Sequence, residues 1–178
     1  SITHSAAGKA MSIATQSPPE STSSVEVRCV SEVRSLLGEG PMWSPRDNAL
    51  YWVDFLTPSV HRYDAATGVD TETPLGTMAS LVVPKASGGL LVATPGGVMA
   101  LDLSTRRVAA LCHPEAGRTN VGYNDGKCDG RGRLWVGSMD MAAAANRGHL
   151  FCIEANGSWE QVDTGFTGAN GIGWGPNN

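Results

Sequence analysis

The chain has 178 residues, 41% apolar and 17% charged, with a net charge of −4. That length suits one ordinary domain with a real core. With no basic field and no apolar run near the ~20 residues of a membrane span, neither nucleic acid nor a membrane is expected as a partner.

In chain order, residues 1–24 are rich in Ser, Thr, Ala and Pro. They lack any hydrophobic period and are expected to form a disordered tail. The 7–15-residue apolar core of a signal peptide is also missing, which points to a cytoplasmic protein. Residues 25–178 form the domain. Val25 to Val30 alternates apolar and charged side chains and predicts a half-buried strand. Cys29, Cys112, Cys128 and Cys152 are widely spaced, so reduced and mostly buried thiols are expected rather than a disulfide framework or a zinc site.

From Met42 onward the chain repeats. Met42 to Pro45 is followed by a turn at Asp47-Asn48 and the strand-like Ala49 to Asp54. Val82 to Lys85, with a turn at Gly88-Gly89, precedes Leu90 to Ala93. Lys127 to Gly130, with a turn at Arg131-Gly132, precedes Arg133 to Gly137. A fourth unit opens at Gly173-Trp174-Gly175-Pro176. Trp43, Val83, Cys128 and Trp174 mark the common phase, 40, 45 and 46 residues apart. Each unit has room for two more strands, such as Ser59 to Tyr63 and Val98 to Leu101. The Ala-rich Met141 to Asn146 falls where an inter-strand loop belongs. Short β-branched and aromatic runs at this period predict an all-β propeller. The chain would cover about three blades and the start of a fourth, the N-terminal part of a longer ring.

Four positions before each phase residue stand Glu39, Ala79, Asn124 and Asn170. Equivalent positions at the start of each innermost strand surround one end of the channel. Taken singly, each lies in a turn sequence, such as Asn124-Asp125-Gly126 or Asn170-Gly171. Taken in phase, Glu39, Asn124 and Asn170 predict a ring of hard oxygen donors. Such a ring suits one divalent ion: Ca, Mg, Mn or, with fewer ligands, Zn. Asp140, at the end of a second strand, is a candidate for the channel mouth. His4, His61, His113 and His149 share no phase.

Leu37 to Asp54, Asn124 to Asp140 and Ala169 to Pro176 resemble the senescence marker protein/gluconolactonase (regucalcin) family. The resemblance implies a six-bladed β-propeller and metal-dependent hydrolysis of sugar lactones. It implies metal ligands at Glu39 and Asn170, and substrate and metal contact at Asn124. The acidic substrate-contacting residue that some members place after the segment that is Gly137-Ser138-Met139 here falls on Ala142, but Asp140 is close by, matches the family's bacterial-type pattern and is the substrate-binding candidate. The family's general-base Asp would lie beyond residue 178, so this chain alone is expected to be inactive. Gly122 stands where family enzymes often carry an Arg that holds the substrate's hydroxyls. Two other readings remain: a calcium-binding propeller without turnover, and a phosphotriesterase-like hydrolase on the same fold.

Overall fold

The computed structural model describes residues 25–176. The expected tail, residues 1–24, lies outside the described residues. Among the described residues, twelve strands build three four-stranded antiparallel sheets, each a simple meander. The first holds β1 (Gly38–Ser44), β2 (Ala49–Asp54), β3 (Ser59–Asp64) and β4 (Asp70–Pro74). The second holds β5 (Leu81–Pro84), β6 (Leu90–Thr94), β7 (Gly97–Asp102) and β8 (Arg107–Cys112). The third holds β9 (Val121–Cys128), β10 (Leu134–Asp140), β11 (Gly148–Ile153) and β12 (Trp159–Phe166). These are propeller blades, and the repeat phase fell on their innermost strands.

The turns form because short acidic side chains satisfy the backbone where the ladder stops. Asp64 Oδ1 accepts from the amides of Ala66 and Thr67, and Asp102 Oδ1 does the same for Ser104 and Thr105. Asp54 closes the β2–β3 turn through Leu56 and Thr57. It also accepts from the amides of Leu36 and Leu37, which fixes the lead-in to β1.

The sheets stack through two apolar seams, with β5 at their junction. Val82 joins Tyr51, Val53, Val60, Leu90 and Val92 between the first two blades. Leu81 and Val83 point the other way and join Tyr123, Leu134, Val136, Phe151 and Ile153. Leu81, Val82 and Val83 of β5 are all buried, so this strand reads as a continuous apolar run rather than an alternating one.

Two expectations change. Val25 to Val30 is not a strand; Val25 and Val27 are 83% and 89% exposed. Alternation gives a strand one apolar face, but a strand also needs a partner to satisfy its backbone, and no strand among the described residues pairs with this segment. The thiols are less buried than expected: Cys152 is buried, Cys112 and Cys128 are partly so, and Cys29 is exposed. Burial pushes the Cys112 thiol up to about 11. The described histidines sit in local networks. His61 stacks on Trp52 and contacts Ser59 Oγ, His113 contacts the Tyr123 hydroxyl, and His149 lies against Arg118.

Candidate metal and substrate site

The inner strands β1 and β9 each carry an irregularity near the positions that the repeat singled out. In β1 the register jumps between Glu39 and Met42, so Gly40 and Pro41 together face Trp52. In β9 it jumps opposite Gly137, where Asn124 and Asp125 are accommodated together. A bulge bends the strand and re-aims its side chains, and bulges often lie beside functional sites. Gly40 is required in the first. Its φ is +55°, and a Cβ there would lie 3.3 Å from Leu81 Cα in the next blade.

Between the two bulges lies a hollow lined by Glu39, Gly40, Asp125, Lys127, Asn170 and Ile172. Glu39 and Asn170, three repeats apart in sequence, therefore meet in space. Glu39 is exposed and makes no side-chain hydrogen bond among the described residues. Asn170 Oδ1 accepts from the Gly171 amide at 2.9 Å.

Asp125 is the residue that the repeat missed. Its Oδ2 accepts from the amides of Gly171 and Ile172 at 2.8 and 3.1 Å, and its Oδ1 from Gly126 at 2.8 Å. It thus clamps the segment that carries Asn170 onto β9. The only sequence signal was the turn-like Asn124-Asp125-Gly126.

Asn124 is placed beside the hollow. Its Nδ2 donates to the Ala169 carbonyl at 2.9 Å, again tying the two segments, while its Oδ1 makes no hydrogen bond among the described residues. The β9 bulge begins one residue earlier than the repeat phase implies, which separates Asn124 from the lining.

Asp140 lies elsewhere. It is 2% exposed, and its Oδ2 accepts from the amides of Ala144 and Ala145 at 3.0 and 2.9 Å. Those backbone bonds hold its carboxyl below the usual carboxylate range. Asp140 shapes the loop after β10, and its neighbours Met139 and Met141 line a second hollow.

As a cation site, the first hollow offers a free carboxylate and a carboxamide, with Asp125 behind them and no Cys or His in its lining. That donor chemistry fits a hard divalent ion. Among the described residues no three His, Cys, Asp or Glu side chains cluster closely enough to hold one.

Residues 37–178 match the family described as SMP-30/Gluconolactonase/LRE-like region. The chain belongs to this family. A 6-deoxy-6-sulfogluconolactonase of Pseudomonas putida is 29% identical over 150 residues, covering 84% of this chain and 52% of that protein. The pentonolactonase XacC of Haloferax volcanii is 32% identical over 139 residues, covering 78% of this chain and 46% of the relative. Among solved structures, a calcium-binding protein, regucalcin, from Agrobacterium tumefaciens superposes with a TM-score of 0.71 at 25% identity. The match covers 78% of this chain and 46% of that one. The chain spans about half the length of the curated relatives it matches.

Proposed function

We propose that this member of the family contributes the Glu39–Asn170 half of a divalent-metal site for lactone hydrolysis. The observation that carries the reading is the meeting of Glu39 and Asn170 in one hollow, beside the Asp125 clamp. The relatives named as sugar lactonases support the reaction class. In this reaction water adds to the lactone carbonyl, the acyl–oxygen bond breaks, and the ring oxygen leaves as a hydroxyl after taking a proton. A divalent cation in the hollow would supply Lewis acidity toward that carbonyl. Glu39 would offset its charge, Asn170 would contribute a neutral oxygen dipole, and Asp125 would keep Asn170 in place. Lys127, in the same lining, would place a positive charge near the developing carboxylate.

Proton transfer from the attacking water needs a base that is not itself holding the cation, and Glu39 is assigned to the cation. Asp125, with both oxygens bonded to backbone amides, does not supply one. The chain by itself is therefore proposed to bind metal without turnover. The same observation favours a calcium-binding, non-catalytic propeller as the second reading.

The test is calorimetric titration of the chain with Ca²⁺ and Mn²⁺, paired with a pH-stat lactone assay. Binding that Glu39→Gln removes supports the site. Binding that survives Glu39→Gln overturns it, and substantial turnover by the 178-residue chain overturns the division of labour.

A further inference from the structure

The second hollow lies beyond the first, where β9 begins and β6 and β10 end. Phe55, Met78, Ser80, Gly122, Met139 and Met141 are among its lining residues. The two hollows are neighbours. Gly122 is in the lining of one and Asp125 in that of the other, three residues apart on β9 and so about 10 Å along the strand. Gly40, in the first hollow, packs against the backbone of Ser80 and Leu81 beside the second.

The polar content of the second hollow is small. Its Thr94 hydroxyl is engaged by Gly96 and Gly97, and the Tyr123 hydroxyl by His113 and Glu115. Ser80 is 8% exposed, and its buried Oγ has no hydrogen-bond partner among the described residues. At Gly122 a Cβ would come within 2.6 Å of Met141 Sδ, so a thioether covers the bare backbone there.

A polyhydroxylated ring brings several hydroxyls, each of which is costly to dehydrate without a partner. This surface offers three methionines and a phenylalanine, and the one hydroxyl without a partner among the described residues, that of Ser80, is buried beneath it. Methionine side chains adapt to flexible apolar ligands.

We propose that the preferred ligand is a lactone bearing an alkyl chain rather than a sugar lactone. Its ring sits toward Glu39 and Asn170, and its chain lies over Met78, Met139 and Met141. This rests on the lactone reading above and specifies its substrate class.

The test is methionine-methyl ¹³C NMR of the chain, titrated separately with γ-nonalactone, glucono-δ-lactone and 1-hexanol. The expected result is saturable movement of the Met78, Met139 and Met141 methyls with γ-nonalactone and none with gluconolactone. Met78 and Met141 are 38% and 48% exposed, so a Met78→Gln/Met141→Gln chain keeps its core. That chain should bind γ-nonalactone about tenfold more weakly. Equal or tighter binding of gluconolactone at these methyls overturns the alkyl preference and leaves the lactone reading standing. Equal binding of 1-hexanol shows that the ring is not recognised and overturns the lactone reading. Methyls that move with none of the three overturn the proposal.

Discussion

At the residue scale, Asp125 shows how a modest side chain organises a site. One carboxylate receives three backbone amides, two of them from residues 46 and 47 positions later. Asp125→Asn keeps one acceptor oxygen but loses the charge that strengthens these bonds. The Gly171 and Ile172 amides should then exchange with solvent at least about tenfold faster, a loss of roughly 1.4 kcal/mol or more, as read by hydrogen-exchange NMR. Strands β5 to β8 should be unaffected. Glu39 and Asn170 were legible from the repeat because their phase fixes their depth in the ring. Asp125 was not, because Asn-Asp-Gly reads as a local turn and its partners lie in another module. For Asp140 the sequence does not say which way the carboxylate faces. An acidic residue at a strand end can face a ligand or its own loop, and here its Oδ2 takes the amides of Ala144 and Ala145.

At the element scale, the strands follow from pattern and the irregularities from contact. The turn chemistry at Asp64 and Asp102 sets blade edges without help from the rest of the fold. The β1 bulge does not arise locally. It needs Gly40 at φ +55° against the backbone of β5. Gly40→Ala should cost about 1–2 kcal/mol from the left-handed backbone alone, with more from pressing on Leu81. Urea unfolding should show this as a lower midpoint with an unchanged slope. Leu81 is fully buried and belongs to the seam between the second and third blades. Leu81→Ala should therefore cost about 2–5 kcal/mol, read from the same urea curves.

For the whole molecule, acid is the relevant stress. Burial opposes the charges of Asp54 and Asp129, yet hydrogen bonds outweigh it. Backbone amides do so at Asp54; at Asp129, Trp135 Nε1 and the Arg133 guanidinium join them. Asp140 is held down by its loop amides in the same direction. Folded carboxyls that titrate below their unfolded value of about 3.9 stabilise the fold fully above that pH and progressively less below it. Thermal unfolding should thus be flat from pH 7 to about 5 and fall steeply below about 4. Asp129→Asn should flatten that fall while lowering the midpoint at pH 7.

The amino-acid sequence alone determined the module: its period, its strand sequence, its acidic turns, and the depth at which Glu39 and Asn170 enter the ring. These are properties of a few neighbouring residues repeated at a fixed spacing. Tertiary structure decided which repeats touch. It set the bulges that turn Asn124 toward Ala169, placed the Asp125 clamp, left Val25 to Val30 without a ladder, and brought three methionines together beside Ser80. Each of these depends on contacts between modules, and the spacing of residues within one module carries no record of its neighbour's surface.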